Sequence, residues 1–362
     1  MTATGFTASA AFGPRMDIDL DAVARNFERY RAAVGVPILA MVKANGYGLG
    51  AVAVARALES SDPWGYGVAT VPEAAELREA GIERPILAIV PFTPEAAPEY
   101  RRWRVRPLIS DPAGLAAWRN RGAGPFHLAI DTGMARGGWL WRDDSLSEVG
   151  RTVAEAGDFE GVMTHFHSAD SDLDATERQW ARLHEAIGRL GTVPPLVHAA
   201  NSAAGRFGTR FAGTLTRPGI FLYGGAAGDW MPEQVVRIEA RVVAVEAVEP
   251  GDTVSYGATG RIDAPAEVAV LGIGYADGVL RSLSSRGAVE IHGRVYPIAG
   301  RVTMDMTMAI LPRGTAAVGD TATMLGGAIG LDAQAARAGT ISYELLTAVG
   351  RRVVRHYQGG PR

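Results

Sequence analysis

Between residues 37 and 222 the chain repeats one pattern: a short apolar run, a turn, then a stretch with helical spacing. The apolar runs are 37–43, 64–70 (WGYGVAT), 85–91 (PILAIVP), 104–110 (RVRPLIS), 126–131 (FHLAID), 159–166 (FEGVMTHF), 195–200 (PLVHAA) and 215–222 (LTRPGIFL). Runs of this length between turn residues read as buried strands. Helix-like segments stand between them, such as 71–81 and 175–191. Ahead of the first strand, 17–34 sets Leu20, Val23, Ala24, Phe27 and Tyr30 at helical spacing, with Asp19 or Asp21 as cap. Eight strands alternating with helices over about 240 residues match a (β/α)8 barrel in count and size. An open doubly wound sheet gives the same local pattern.

The texture changes near residue 235. Segments such as VVRIEARVVAVEAV, AEVAVLGIGYA and GAVEIHGRVYPIAG alternate or run apolar between Pro and Gly, as antiparallel strands do. The expected architecture is an α/β barrel of the TIM type followed by a mostly antiparallel β domain. The expected division is a loose tail over 1–12, the barrel over 13–235 and the β domain over 236–362, with one short helix at 341–349. Strong helices are not expected after 235.

Composition excludes several functions. A net charge of -3 gives no general pull toward nucleic acid or acidic lipid. The chain has no cysteine, so disulfides, thiolate nucleophiles and cysteine metal sites are ruled out. Residues 1–12 lack the basic start and apolar core of a signal peptide. No apolar run is long enough to span a bilayer. These features predict a cytoplasmic protein without nucleic-acid or membrane partners.

In a barrel, functional groups gather where strands end. That selects Lys43 and Tyr47 after strand one, and Asp131, Met134 and Arg136 after strand five. Thr164 and His165 close strand six. His198, Asn201 and Ser202 follow strand seven, and Arg217, Gly219 and Ile220 lie at strand eight. Lys43 has an apolar strand behind it and a sharp turn ahead. Burial disfavours an ammonium, which frees the amine as a nucleophile of the Schiff-base kind. The alternative is a strand-end lysine reaching into solvent. An amine, two guanidinium groups, imidazoles, hydroxyls and a Gly-rich turn suit an anionic, phosphate-bearing cofactor. His165 and His167, two apart, share a face as metal ligands do, but no carboxylate spacing supports a metal. The glycine-containing stretch 254–260 (VSYGATG) lies in β context, unlike a dinucleotide site.

Several motifs in order carry a resemblance: AMVKANGYG, GVATVPEAAELREAGI, DTGMARGG, THF, HAANSA, RPGIFLYG, SYG, GYADG, GRVTMD and RRVVRHY. From about Asp17 to Tyr357 the chain resembles the bacterial alanine racemases, isomerases that use pyridoxal 5′-phosphate (PLP) and supply D-alanine for peptidoglycan. The resemblance implies the same barrel and β domain, and a head-to-tail homodimer with shared active sites. It implies that Lys43 binds the cofactor covalently. Tyr47, Ser202, Tyr357 and the amides of Gly219 and Ile220 would hold its phosphate. Arg217 would face the pyridine nitrogen and Arg136 the ring hydroxyl. Tyr256 of the partner subunit would be the second catalytic acid/base, with His165 hydrogen-bonded to it. Met304, Asp305 and Tyr275 would line the substrate site, and Arg281 would support the tyrosine. No metal is implied.

The chain departs from the family pattern at three points. The loop after the lysine reads Gly46-Tyr47-Gly48-Leu49-Gly50, without the usual histidine. Ala129 stands where many relatives carry a lysine, sometimes carbamylated, that orients the arginine matched by Arg136. Thr303 replaces a common cysteine. These bear on substrate breadth more than on reaction type. The competing expectations are a racemase of different or broader specificity, a related PLP decarboxylase or aldolase, a PLP-binding protein without turnover, and a cofactor-free barrel enzyme.

Overall fold

The computed structural model describes residues 13–120, 124–156 and 158–360. The expected tail at 1–12 lies outside the described residues. Seven parallel strands curl side by side in the order Leu39–Met41, Gly65–Val68, Ile86–Pro91, Val105–Ile109, Phe126–Asp131, Phe159–Met163 and Leu196–His198. They match the first seven expected strands; Phe126–Asp131 is complete and the other six are shortened. The eighth is reduced to a bridge. Ile38 pairs with Thr216 in parallel. Leu39 N–H donates to the Thr216 carbonyl at 2.8 Å and Met41 N–H to that of Pro218 at 3.0 Å. On the other side Thr214 N–H donates to the Val197 carbonyl at 2.9 Å. Residues 214–218 thus close the ring. Pro218 has no N–H to extend the ladder, and the chain turns into a 3-10 segment at Ile220–Tyr223.

The first helix spans Leu20–Val34 rather than starting at residue 17. Asp19 caps it, its Oδ1 accepting from Ala22 N at 2.9 Å, and Gly35 ends it in a left-handed turn. Val23, Phe27, Tyr30 and Val34 are fully buried along one face. Burial of each such side chain stabilises by roughly 1.5–3 kcal/mol. Residues Arg15–Asp19 form a strand instead. It pairs antiparallel with Val236–Val248 and parallel with Val354–Gln358. The N-terminal segment therefore belongs to the second sheet, across the division expected at residue 235.

That second sheet runs in the order Arg294–Pro297, Ala288–Ile291, Thr321–Leu325, Val236–Val248, Arg15–Asp19 and Val354–Gln358. Ala266–Leu271 joins the long strand Val236–Val248 and carries Thr307–Leu311 on its far side. All its pairings are antiparallel except the one between the terminal strands. The short helix expected at 341–349 is Ser342–Thr347. A second helix, Leu331–Ala338, was not expected there; Leu331, Ala335 and Ala338 bury its inner face. Both helices matter to the site, since Asp332 and Tyr343 border the barrel mouth.

Candidate active site at the barrel mouth

Lys43 leaves its strand into a left-handed turn. The next three residues, Ala44, Asn45 and Gly46, have φ of 53°, 52° and 61°, and Tyr47 follows at 53°. An L-residue in this region costs roughly 1–2 kcal/mol, less for Asn and nothing for Gly. The turn is held from several sides. Gly46 N–H donates to the Val42 carbonyl at 2.7 Å. Glu73 accepts from Ala44 N at 2.8 Å and from Ala69 N at 2.7 Å. Asn45 Oδ1 accepts from Ala51 N at 3.0 Å. Strain fixed this firmly is a common mark of functional sites. Here it brings Lys43 and Tyr47 to one cavity.

Lys43 is the only lysine in the sequence, a signal legible without any structure. It is half-buried and has no carboxylate partner among the described residues. Burial lowers its pKa, and the positive charges of Arg136 and Arg217 add to the shift against a smaller opposing pull from Glu73. The cavity, of roughly 680 Å³, is also lined by Arg136, His165, Ser202, Arg217, Gly219 and Ile220.

One end of the cavity is a cradle of small and hydroxyl groups. Ser202 Oγ accepts from Gly219 N at 2.8 Å and from Phe221 N at 3.3 Å, so its own hydrogen remains to be donated. The Ile220 amide opens a helical turn and has no partner within it. Tyr47 stacks on Tyr223 with ring centroids 4.6 Å apart. Tyr343 closes on Tyr47 from the C-terminal domain at 5.8 Å. Tyr357 is not a lining residue; its hydroxyl donates to the Leu49 carbonyl at 2.8 Å.

The cavity floor is polar and almost fully buried. Arg217 is 4% exposed. Its Nη1 donates to His198 Nδ1 at 2.9 Å and to the His198 carbonyl at 2.7 Å; its Nη2 donates to the Thr164 carbonyl at 2.7 Å. Burial brings it down to about 10, so it stays charged at neutral pH. His165 is held near 3, first by burial and then by Arg217, Arg136 and Lys43. It is a neutral imidazole in working conditions.

Arg136 is exposed and follows a tight turn. Asp131 Oδ1 braces that turn, accepting from Gly133 N at 2.8 Å and Met134 N at 2.9 Å. A second cavity of roughly 300 Å³ lies between Lys43, Arg136, Ala129 and Met163. Ala129 packs with Leu108 and Met163, and no side chain from position 129 reaches Arg136.

The remaining expected residues stand apart from both cavities. Tyr256 is 72% exposed and Met304 53% exposed. They nonetheless form one patch. Ser255 Oγ donates to the Arg301 carbonyl at 2.7 Å, tying the Tyr256 turn to the 301–306 loop. Tyr275 N donates to the Thr303 carbonyl at 2.9 Å, and Ala276 N to that of Met304 at 3.0 Å. Asp305 pairs with Arg352 at 2.8 Å. Arg281 joins through Ser284, which accepts from Val302 N at 3.0 Å and donates to the Arg281 carbonyl. Arg301, within the GRVTMD motif but assigned no role from sequence, joins the patch: its guanidinium packs 3.3 Å from a Cβ built on Gly257. Among the described residues no group of three His, Asp or Glu side chains is placed to hold a metal ion.

The alanine racemase N-terminal domain family matches residues 18–227, and the C-terminal domain family matches residues 235–357. An alanine racemase of Desulforamulus reducens is 36% identical over 95% of this chain and 98% of its own length. One from Treponema pallidum is 39% identical over 91% of this chain and 94% of its own. Among solved structures, the alanine racemase of a D-cycloserine-producing Streptomyces lavendulae superposes with a TM-score of 0.90 at 30% identity, covering 97% of this chain and 98% of its own. That of Bartonella henselae, solved with covalently bound pyridoxal phosphate, gives 0.89 at 28%, covering 96% and 99%. With both domain families matched in order along nearly its whole length, this chain belongs to the alanine racemase family.

Proposed function

We propose that this chain is a PLP-dependent isomerase that interconverts L- and D-alanine. The observation that carries the reading is Lys43: a half-buried amine, its pKa lowered by burial and then by Arg136, with no carboxylate partner among the described residues, sharing one cavity with buried Arg217 and the Tyr47–Ser202–Gly219 cradle. These residues fit the cofactor. A phosphate needs hydroxyl and amide donors with no side chain in the way. A Cβ at Gly219 would fill that cradle, lying 2.1 Å from Tyr47 Oη. Tyr47, Ser202 and the free amide of Ile220 are assigned to the phosphate, and the Gly219 amide joins them by giving up its present bond to Ser202 Oγ. Tyr357 joins them by exchanging its present bond to Leu49. Arg217 is assigned to the pyridine nitrogen and Arg136 to the ring hydroxyl.

When bound, PLP supplies an electron sink that acidifies the substrate Cα–H. The rest is done by side chains. Racemisation removes a proton from one face of Cα and returns one to the other, so two opposed groups are needed. Lys43 serves one face. Tyr256 serves the other and must come from a second copy, since in its own chain it lies on the exposed patch away from Lys43. Met304, Asp305 and Tyr275 share that patch and border the substrate with it, and Arg281 supports it. His165 hydrogen-bonds to the incoming phenol. Arg217 has only donors to offer and stays charged. It therefore disfavours a protonated pyridine nitrogen and limits proton return at the wrong atom. The active unit is a head-to-tail homodimer.

The barrel over 13–235, apart from the strand Arg15–Asp19, binds the cofactor, and the domain over 236–362 supplies the second base. D-Alanine made this way serves peptidoglycan in the cytoplasm. No helix among the described residues is long and apolar enough to cross a membrane. The cavity beside Ala129 favours a second reading, a racemase of broader substrate range. A racemisation screen across amino acids with added PLP tests both. Turnover of alanine alone supports the first and turnover of bulkier amino acids the second. A protein that takes up no PLP and racemises nothing refutes both.

A further inference from the structure

The barrel interior holds a line of buried polar groups that the reaction does not use directly. Behind Arg217 stands His198, and behind that His127, both fully buried. His198 Nε2 lies 2.7 Å from His127 Nδ1. His127 Nε2 lies 3.0 Å from Glu160 Oε2. Glu160 is in turn clamped by Arg106, whose Nη2 donates to Oε1 at 3.0 Å. His198 ends its strand at the cavity side of the barrel. Glu160 and His127 sit at the second positions of theirs, at the opposite mouth.

The proton positions along this line follow from its two ends. A guanidinium only donates, so His198 Nδ1, which accepts from Arg217, carries no hydrogen. Burial, with Arg217 and His127 beside it, keeps His198 neutral, so its single hydrogen is on Nε2 and is donated to His127 Nδ1. His127 is also kept neutral, chiefly by burial, and its hydrogen is then on Nε2, donated to Glu160. Burial alone would raise the Glu160 pKa. Hydrogen bonds from His127 and Arg106 outweigh it and hold the carboxyl at about 2. Every hydrogen bond in the line therefore points the same way, from Arg217 to Glu160. Bonds aligned in a low-dielectric interior strengthen one another.

We propose that Glu160 and His127 are positioning residues for Arg217: across the barrel they fix the tautomer of His198, so that a bare imidazole nitrogen holds the guanidinium in place. The assignment to catalysis rests on the racemase reading; the assignment of the tautomers does not. Residues at this mouth of a barrel ordinarily serve stability alone. Here a carboxylate at that mouth reaches the cavity floor through two rings. Reversing any one bond would leave two donors or two acceptors facing each other, and the ends, one only donating and one only accepting, fix the direction of the whole line.

The test is long-range proton–nitrogen NMR of full-length protein labelled with 15N-histidine, before and after PLP is added, on native protein and Glu160→Gln. Gln can donate to His127 Nε2 where Glu cannot. The expected native result is two mutually coupled buried rings, both bare at Nδ1 and protonated at Nε2. In Glu160→Gln, His127 should gain the Nδ1–H form. PLP affinity should fall about tenfold, and the visible absorption band of the loaded protein should move. A purely structural Glu160 would change thermal stability and leave tautomers and band alone. A native His198 protonated at Nδ1 overturns the proposal, even if Glu160→Gln does not fold. So does a folded Glu160→Gln with native tautomers and native PLP affinity. A native protein that binds no PLP would instead remove the racemase reading, while the tautomers of the cofactor-free protein still decide the proton line.

Discussion

A Cβ built on Gly219 lies 2.1 Å from the hydroxyl oxygen of Tyr47, so residue 219 and the tyrosine tip compete for one space. Gly219 has φ of -127°, a value any residue adopts. The need for glycine is therefore steric. Gly219→Ala is predicted to push Tyr47 off its stack on Tyr223 and to weaken PLP binding about tenfold or more, the loss of one or two hydrogen bonds to a charged group. Titration of the visible absorbance with PLP measures it. Native affinity in a folded Gly219→Ala protein would remove Tyr47 from the cradle.

Tyr256→Phe should keep the bound cofactor and its colour. It should lose turnover by roughly 10²–10⁴-fold, the usual contribution of a positioned acid or base. The loss should be largest from L to D. Mixing Lys43→Ala and Tyr256→Phe subunits should restore part of the activity, because each mixed dimer would own one intact site. Confirmed heterodimers without activity would contradict the shared site.

Stability should fall as the solution is acidified below about pH 6.5. His165 has a native pKa near 3 against an ordinary value of 6.5, and His127 and His198 are also lowered, all chiefly by burial. Between these values the unfolded chain binds protons that the native state refuses. Stability then rises with pH across that window, by at most about 1.4 kcal/mol per pH unit for each ring. Urea midpoints measured from pH 4 to 7 give the slope. His165→Gln should flatten it in part, and an unchanged slope in that variant would show that His165 is accessible to protons in the folded protein.

Asn45 combines a left-handed backbone with a side chain that accepts from Ala51 N at 3.0 Å. Asn45→Ala loses that bond and places a residue less tolerant of the conformation in the turn. The expected cost is about 1–2 kcal/mol in urea unfolding. Because Lys43 begins the turn, turnover should drop with KM for alanine little changed. Unaltered stability would mean the turn is held without its asparagine.

Much of this arrangement is written locally. Seven strands are short apolar runs flanked by turn residues, and the Lys43 turn announces itself at Gly46 and Gly48. Lys43 itself is marked by being the sole lysine among many arginines. What is not legible depends on distant pairing. The sequence 17–19 reads as the start of a helix, yet Asp17 pairs with Arg237 and His356. The eighth strand looks complete as LTRPGIFL, but Pro218 leaves it too few donors to be more than a bridge. The helix Leu331–Ala338 is short and rich in alanine, and Leu331 is the one large apolar side chain it buries. His127 and His198 are far apart in sequence and meet only because the barrel brings their strands side by side. Nor does anything in a single chain's sequence reveal that Tyr256 projects outward; its exposure does.

The proposed covalent bond between Lys43 and the cofactor can be measured cleanly, because Lys43 is the sole lysine of the sequence. The protein should be incubated with PLP, reduced with borohydride, digested and examined by mass spectrometry. With one lysine in the sequence, one phosphopyridoxyl group per chain is predicted, on Lys43, formed at near-stoichiometric PLP and absent from Lys43→Ala. A protein left unlabelled, or labelled only at its N-terminal amine, would contradict it.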